Sequence, residues 1–338
     1  MSTSANTQKP VLIVGGSGLV GAQAAKALRR LHPKLPITLG GRDLAKADAV
    51  AKEVGGADAV RVDLERKDLG QPDTRAYSAV VMFVKDDTLN SMKYAQAKGL
   101  PYLSISTGLF EVGPEVGLFI HSPASAPILM ASHWLAGATT LTTLHFAREF
   151  ESLESIQLAG VLDEQDMGGP AAWADYERLT KVTSNSLVLD GGRWRWIGGA
   201  EATRAFTNVD GTSLSGQAYS QLDLMSLSTA TDARSIRFDV VLGESSARKR
   251  GEPFSTEFVI ELTGQKKDGT TGRVRHELVH PGGQAPVTAL SVALYVERLL
   301  GLAGGSPVAP GLYLPNQLID PAYYVRRLEE SGAVIRRA

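Results

Sequence analysis

The spacing of hydrophobic and polar positions changes in character at about residue 141. Before that point, short apolar runs alternate with longer helix-favouring stretches. Uninterrupted apolar runs predict strands buried on both faces, and their alternation with helices indicates a parallel sheet. Six such strands are predicted, at residues 11–14, 37–39, 59–63, 78–84, 102–106 and 127–131. The pattern therefore predicts an α/β fold with a Rossmann-type, doubly wound parallel sheet.

The rest of the chain predicts a second domain of a different kind. Helices are predicted at residues 139–150 and 171–180, and β-type runs at 156–162, 235–243, 254–263 and 273–280. Polar turns separate these runs, which is typical of an inserted α+β domain on a mostly antiparallel sheet. The apolar helix from Pro286 to Leu302 must be buried, and we expect it to pack on the first domain. The first domain is then 1–138 with 284–338, and the substrate and dimerisation domain is 139–283.

The first strand runs directly into a glycine turn, V-L-I-V-G-G-S-G-L-V-G over residues 11–21, followed by an Ala-rich helix. Strand, glycine turn and helix in this order are the context of a dinucleotide-binding fingerprint, in which Gly18 lets the backbone approach a pyrophosphate. The helix N-terminus offers its unpaired N–H groups to the phosphates. Glycine turns also occur in doubly wound folds that bind no nucleotide. The residues predicted to hold the pyrophosphate are Gly15, Gly16, Ser17, Gly18, Leu19, Val20 and Gly21.

The second predicted strand ends in Gly40-Gly41-Arg42-Asp43, where a dinucleotide fold recognises the adenosine ribose. An NAD site usually has an acidic residue there, whereas a guanidinium such as that of Arg42 can bind a 2′-phosphate in a bidentate manner. Lys46, one turn further on, adds a second charge. The pattern favours NADP(H) as the cofactor. The alternative is that Arg42 is a solvated residue at a helix start, with Asp43 as the N-cap.

Further cofactor contacts follow from topology, because ligands of doubly wound sheets bind beyond the carboxyl ends of the strands. The strand ends predicted to contribute hold Gly41, Arg42, Asp43, Asp63, Val84, Lys85, Ser106 and Thr107. Asp63 borders the adenine in this arrangement. The residues that lie towards the nicotinamide end by topology are Lys85, Asp86, Ser106, Thr107 and His133.

Three residues are candidates for proton transfer, namely Lys85, His133 and Tyr176. Lys85 can donate a hydrogen bond, or it pairs with Asp86. His133 titrates near neutral pH, or it caps a turn. Tyr176 follows the loop at 168–170 and faces either a cleft or the packed side of its helix.

Composition narrows the classes of function. The chain has 338 residues, a net charge of −1 and no cysteine. The absence of cysteine excludes disulfides, thiolate metal sites and catalysis through a thiohemiacetal. The small net charge provides no general attraction for nucleic acid or anionic membranes. Residues 1–10 lack the apolar region of a signal peptide, and no run approaches a membrane span. We expect a cytoplasmic homodimer that acts on a small molecule, without nucleic-acid or membrane partners.

Two motifs suggest chemistry that their context does not favour. His276-Glu277-Leu278-Val279-His280 matches a zinc-protease string, but β-type residues surround it. On a strand, the two imidazoles would lie about 13 Å apart, too far for one ion, so no metal site is predicted. Tyr94 and Lys98 match the pair of short-chain dehydrogenases, but on the wrong helix. Tyr94 and Lys98 are interpreted as residues on a solvated helix face.

The chain resembles the saccharopine dehydrogenase-like NAD(P)-binding reductases at both ends. The N-terminal part is the glycine turn with G-G-R-D behind it. The C-terminal part is A-P-V-T-A at 285–289, P-G-L-Y-L-P at 310–315 and I-D-P at 319–321 before a short helix. The resemblance implies a dinucleotide domain, an inserted substrate domain and hydride transfer at a carbon–nitrogen centre. Relatives commonly have Y-x-D in strand five, where this chain has Ser104.

Together these features predict an NADP-dependent oxidoreductase that transfers hydride between NADPH and a small imine or carbonyl compound. The alternative is a non-catalytic protein that binds NADP and regulates in response to it, because no catalytic constellation is visible in the sequence.

Overall fold

The computed structural model describes residues 9–166, 168–182 and 184–338, so most of the polar segment 1–10 lies outside the described residues. The strands are β1 (Val11–Val14), β2 (Ile37–Gly41), β3 (Ala57–Arg61), β4 (Ala79–Met82), β5 (Tyr102–Ser104), β6 (Pro127–Met130), β7 (Phe150–Asp163), β8 (Ser186–Asp190), β9 (Arg193–Ile197), β10 (Thr203–Thr207), β11 (Ser213–Ala218), β12 (Ser235–Gly243), β13 (Thr256–Lys266), β14 (Thr271–His280), β15 (Gly311–Tyr313) and β16 (Val334–Arg337). The helices are α1 (Leu19–Leu31), α2 (Leu44–Val54), α3 (Asn90–Lys98), α4 (Gly113–His121), α5 (Ala138–Ala147), α6 (Pro170–Val182), α7 (Leu222–Ala230), α8 (Ser246–Lys249), α9 (Gln284–Leu300), α10 (Pro315–Leu318) and α11 (Pro321–Glu330).

The first compact unit contains a parallel sheet of seven strands in the order β15-β6-β5-β4-β1-β2-β3. Every residue of β1, β4 and β6 is buried, as the uninterrupted apolar runs predicted. The strand order reverses between β4 and β1, which is the switch point where such sheets bind ligands. The predicted α/β, doubly wound fold is confirmed. The seventh strand, β15, comes from the P-G-L-Y-L-P segment and pairs with β6 in register Gly311 to Pro127.

The second unit is built on a mixed sheet. Its main path runs β10-β11-β12-β7-β13-β14-β16, and β8 and β9 extend it from β12. Within the part of the chain that the structure describes, β7 and β12 are parallel neighbours and the other pairs are antiparallel. This agrees with the predicted, mostly antiparallel sheet. β7 is much longer than the predicted run at 156–162, because it pairs with β13 along almost its whole length.

The boundaries of the units differ from the predicted domains. The first unit holds residues up to Thr107, then Glu111–Met130 and Val292–Tyr313, and the second holds Gly108–Phe110, Ala131–Ser291 and Leu314–Ala338. The segment after Tyr313 belongs to the second unit because β16 pairs with β14 and α11 packs on α5. The fully buried Tyr324 of α11 also shares a hydrogen bond of 2.7 Å with the Ser291 hydroxyl. Only the stretch around β15 joins the parallel sheet.

The zinc-protease string and the Tyr94–Lys98 pair lie in different surroundings. His276 and His280 lie on strand β14, as their β-type surroundings predicted. Tyr94, interpreted as solvated, is instead buried in the core of the first unit, whereas Lys98 is exposed and pairs with Asp73 at 3.1 Å. The ring of Tyr94 faces the sheet side of α3. No helix within the described ranges is both long and apolar enough to cross a membrane.

A buried aspartate in the second unit caps the long helix α9. The Asp166 carboxylate accepts from the backbone N–H of Gln284 at 2.6 Å, and the Gln284 side-chain amide donates to the Asp166 carbonyl oxygen. Burial raises the pKa of Asp166 to about 7, opposed by the Gln284 amide and assisted by nearby Asp163. The charge of this capping carboxylate therefore changes near neutral pH.

We expect Asp166→Asn to flatten the dependence of the melting temperature on pH. Since the folded-state pKa lies above the ordinary 3.8, the folded protein holds this proton more tightly than the unfolded chain does. The resulting stability is complete below pH 3.8 and is lost as the pH rises to about 7. The asparagine variant cannot ionise there, so it should escape this loss. Thermal unfolding at a series of pH values measures the difference.

The matched control is Asp320→Asn. Asp320 caps α11, but Arg148 lowers its pKa, so this carboxylate stabilises the fold above its ordinary pKa and its removal should cost stability at neutral pH. Parallel pH profiles for the Asp166 variant and the parent protein would contradict the prediction.

Candidate functional site

The glycine turn follows β1 and is closed by its own backbone. Gly15 has a φ of +79°, in the left-handed region that favours glycine. Its N–H donates to the Gly40 carbonyl at 2.9 Å, and the Gly18 N–H donates to the Gly15 carbonyl at 2.9 Å. The turn is therefore tied both to β2 and to itself.

Helix α1 begins directly after this turn with an uncompensated N-terminus. The backbone N–H groups of Leu19, Val20 and Gly21 have no acceptor among the residues that the structure describes. Gly18 occupies the N-cap position without a side chain, and the first turn contains no acidic residue. Leu19 is 49% exposed, so this helix end is open to solvent. Free amides and the positive end of the helix dipole make it a site for an anion such as a phosphate.

The glycines of the turn serve two different purposes. A Cβ built on Gly16 would lie 2.8 Å from the Ile13 carbonyl oxygen, and one on Gly21 would overlap the Gly15 backbone. These two glycines are required for α1 to pack closely on the sheet. A Cβ on Gly18 would meet only the Gly15 carbonyl oxygen, at 3.2 Å. A side chain at position 18 is therefore compatible with the fold and would occupy the open helix end.

The last two residues of β2, Gly40 and Gly41, carry no carboxylate, and two cationic side chains follow them. A Cβ on Gly41 would lie 3.5 Å from the Ser17 hydroxyl oxygen, so a side chain at position 41 would approach the glycine turn. Arg42 and Lys46 are exposed, and neither side chain has a hydrogen bond or ion pair to any residue in the described ranges. Asp43 accepts from the Lys46 backbone N–H at 3.0 Å, which confirms it as the N-cap of α2. This corner can receive a second phosphate.

Asp63 lies beyond β3, in a tight turn. Its carboxylate accepts from the backbone N–H of Glu65 at 3.1 Å, and its own N–H donates to the Leu69 carbonyl. The side chain is exposed beside the end of the sheet. It is thus held in place by the turn, on the same side of the switch point as β2.

The other side of the switch point begins at the end of β4. A Cβ on Gly15 would lie 3.0 Å from Val84, so this strand end adjoins the glycine turn. The Lys85 ammonium lies 3.6 Å from the Glu111 carboxylate, and both side chains are 19% exposed. Asp86 does not bind Lys85 but accepts from the backbone of Thr88 and Ser91 and so caps the start of α3. The sequence alternative of a Lys85–Asp86 pair is therefore wrong.

A second carboxyl group lies behind Lys85. The buried Thr107 hydroxyl, just after β5 and the buried Ser106, donates to the Glu115 carboxylate at 2.7 Å. Burial raises the pKa of Glu115, while Thr107 and Lys85 lower it and Glu111 raises it. Within the first unit, the structure thus brings Lys85 and Thr107 into one charged cluster.

The sequence analysis missed both glutamates of this cluster because it placed no helix between strands five and six. The signal was present in Gly113-Pro114-Glu115. A proline followed by an acidic residue is typical of the first turn of a helix, and α4 begins there.

His133 belongs to the second unit and is buried. Its Nε2 lies 2.7 Å from the Ser226 hydroxyl, and its Nδ1 has no hydrogen-bond partner among the described residues. Burial lowers the pKa of His133 to about 4, against the attraction of Asp223. The imidazole is therefore neutral at neutral pH and does not have the charge of a ready proton donor.

The turn after His133 has a strained backbone and is hydrogen-bonded to a residue of α7. Leu135 and Ala136 both have positive φ angles, 52° and 53°, which cost energy for residues with side chains. The fully buried Asp223 accepts from the Trp134 backbone N–H at 2.7 Å and from the Thr139 hydroxyl at 2.5 Å. These hydrogen bonds connect the turn to α7.

Tyr176 lies on α6 within a row of aromatic rings. It stacks on Trp173 at a centroid distance of 5.5 Å and lies 6.2 Å from Tyr219, which meets Trp134 edge to face. Burial raises the pKa of the Tyr176 phenol. Tyr176 is thus half-buried against these rings, and its role in proton transfer stays a prediction.

These features define a class of fold: a Rossmann-type parallel sheet, with a glycine turn at its switch point, joined in one chain to a mixed-sheet unit. No known protein family matches the sequence. No curated protein matches it at a significant level either.

Solved structures do share the fold. The protein superposes on the apo saccharopine dehydrogenase (L-Glu forming) from Saccharomyces cerevisiae with a TM-score of 0.71 and 15% identity. The match covers 98% of this chain and 100% of the yeast chain. A probable dehydrogenase from Thermotoga maritima matches with a TM-score of 0.51 and 10% identity, over 96% and 98% of the two chains. The scyllo-inositol dehydrogenase from Lactobacillus casei, solved with NAD(H) and scyllo-inositol, matches with a TM-score of 0.50 and 12% identity, over 97% and 99%. The resemblance to saccharopine dehydrogenase-like proteins is thus confirmed at the level of the fold.

Proposed function

We propose that this protein is an NADP(H)-dependent oxidoreductase that transfers hydride between the cofactor and a small imine or carbonyl compound with an amino-acid-like C=N or CH–NH centre. The observation that carries the proposal is the open N-terminus of α1, where three free backbone amides follow a closed glycine turn at the switch point of the sheet. The dehydrogenases that share the fold, one of them solved with NAD(H), support the coarser part of the proposal, an oxidoreductase with a nicotinamide cofactor.

The end of β2 supports NADP(H) over NAD(H). Gly41 leaves open the position from which an acidic side chain would reach the ribose, and the Ser17 hydroxyl adjoins that space. The Arg42 guanidinium and the Lys46 ammonium have no protein partner there in the described ranges. A 2′-phosphate would neutralise both cations, whereas a 2′-hydroxyl would leave them unused.

The cluster around Lys85 supports an imine substrate. When bound, the nicotinamide supplies the hydride, and the protein must provide a proton to the substrate nitrogen or oxygen. We assign that proton to the Lys85 ammonium, because His133 is held neutral by burial. Proton transfer to an imine moves one positive charge from lysine to substrate. Before the transfer, Glu111 pairs with the Lys85 ammonium and Glu115 interacts with it electrostatically. A substrate cation formed beside Lys85 would be attracted by the same two carboxylates.

The test begins with titration of the purified protein with NADPH and NADH. Oxidation of NADPH is then followed with small 2-oxo acids, each with and without ammonium, and with the cyclic imine 1-pyrroline. Turnover that requires ammonium or the imine supports the proposal. Binding of NADPH without turnover of any compound would instead favour the regulatory alternative, and no binding of either dinucleotide would overturn both.

A further inference from the structure

The strand β9 lies at an open edge of the sheet in the second unit. It pairs with β8 on one side, and no strand in the part of the chain that the structure describes pairs with its other side. The two strands form a hairpin closed by Gly191 and Gly192, whose φ angles of 57° and 82° are those of a tight two-residue turn. An open edge presents a row of unpaired backbone groups to which another strand can bind.

The hairpin turn determines which backbone groups of β9 face the open edge. In a two-residue hairpin, the residues that flank the turn, here Asp190 and Arg193, exchange both backbone hydrogen bonds, and every second pair along the strands does the same. Arg195 is therefore bonded to β8, whereas the N–H and C=O groups of Trp194 and Trp196 point away from β8. These four groups have no hydrogen-bond partner among the described residues.

The two tryptophan side chains give this edge an apolar face. Trp194 and Trp196 are 47% and 52% exposed, and the alternation of a strand places both rings on the same face. Arg195 lies on the opposite face, where its guanidinium pairs with Asp190 at 2.6 Å and with Glu201 at 2.9 Å. The charge in the middle of the strand is thus balanced within the chain, and half-exposed tryptophans are typical of protein interfaces.

We propose that β9 pairs antiparallel with β9 of a second copy of this chain, about a two-fold axis at Arg195. In this register, Trp194 lies opposite the partner's Trp196, and the outward backbone groups of the two strands form four hydrogen bonds. Because opposite residues of an antiparallel pair share a face, the four rings come together on one side of the joined sheet. Among two-fold registers, this one alone places every tryptophan opposite another.

The symmetry of the edge favours a second copy over a different partner. A two-fold contact needs a surface that is complementary to itself, and β9 has matching donors and acceptors, one apolar face and a balanced central charge. The four half-exposed rings bring roughly 300–500 Å² of apolar surface into the contact. This is about a quarter of a standard interface of roughly 1,200–2,000 Å². Neighbouring surface must add the rest, so we expect a dimer that dissociates on dilution.

The oligomeric state is measured by sedimentation velocity on the full chain over a range of concentrations. The parent protein should sediment as a dimer that dissociates on dilution. Trp194→Ala and Trp196→Ala should each weaken the dimer at least about 10-fold, because each change removes two rings from the contact. The matched control is Trp173→Ala, which removes a tryptophan that is 37% exposed on α6 and should leave the association unchanged.

The register is tested with single cysteine variants, because the chain has no cysteine of its own. At the two-fold axis, the Cα atoms of Arg195 and the partner's Arg195 would be about 4.5 Å apart, within the range that a disulfide can bridge. Arg195→Cys should therefore form a covalent dimer under mild oxidation. The control is Arg193→Cys on the same face, because the two copies of residue 193 would be about 13 Å apart along the strands and should stay unlinked.

Three results would each overturn the inference: a parent protein that stays monomeric at every concentration, a dimer that survives both tryptophan changes, and equal cross-linking of the two cysteine variants. Melting temperatures of the variants identify any loss of fold. None of these measurements involves a dinucleotide, so their outcome is independent of the proposed function.

Discussion

Replacement of Gly18 with valine is expected to abolish NADPH binding without unfolding the protein. Gly18 has extended φ and ψ angles of −75° and 167°, which a valine can adopt. A Cβ at this position meets only the Gly15 carbonyl oxygen, so the fold has room for it. The branched side chain would, however, fill the space in front of the free amides of α1, where the pyrophosphate must come closest to the backbone.

We expect the affinity for NADPH to fall by at least about 100-fold, which corresponds to about 2.7 kcal/mol. Fluorescence or calorimetric titration measures the affinity, and thermal unfolding checks the fold. The contrasting variant is Gly21→Ala, whose added methyl would overlap the Gly15 backbone and should lower the melting temperature instead. Undiminished NADPH binding by the Gly18 variant would show that the anion site lies elsewhere.

Replacement of Arg42 with alanine is expected to remove most of a preference for NADPH over NADH. A charge-assisted hydrogen bond contributes about 1.5–3 kcal/mol net, or roughly 10- to 100-fold in affinity. The parent protein should therefore bind NADPH at least about tenfold more tightly than NADH. The loss in the variant should fall on NADPH and leave NADH nearly unchanged, because only NADPH carries the 2′-phosphate.

The matched control is Arg30→Ala, since Arg30 is also exposed but lies in the last turn of α1, far along the helix from the glycine turn. Its removal tests whether the loss of any positive charge weakens the binding of NADPH. Equal affinities of the parent protein for both cofactors, or an Arg42 variant that weakens both alike, would mean that Arg42 is only a surface residue at a helix start.

The sequence predicted best those features that depend on neighbours along the chain. The glycine turn is an example, because the positive φ of Gly15 and the close packing at Gly21 are needs of a few consecutive residues. The N-cap role of Asp43 is another, since the bond spans only three residues. The strand β14 was predicted from the β-type residues around its two histidines.

The features that escaped prediction depend on partners distant in sequence. The short run Gly311–Tyr313 has the pattern of a turn, and it becomes a strand only because the edge of β6 is available to pair with it. The segment after Tyr313 went to the second unit because β14 offered an open edge to β16. Such choices depend on which edges and faces are still unpaired after the rest of the sheet has formed.

The candidate site divides in the same way. The sequence alone determined that a strand, a glycine turn and a helix N-terminus come together with Arg42 nearby, because these are consecutive or governed by the order of parallel strands. Only the tertiary structure decided that Glu115 accepts a hydrogen bond from the Thr107 hydroxyl, that Lys85 faces Glu111 rather than Asp86, and that burial keeps His133 neutral. Burial and charge pairing depend on neighbours from many parts of the chain, so a local sequence pattern cannot predict them.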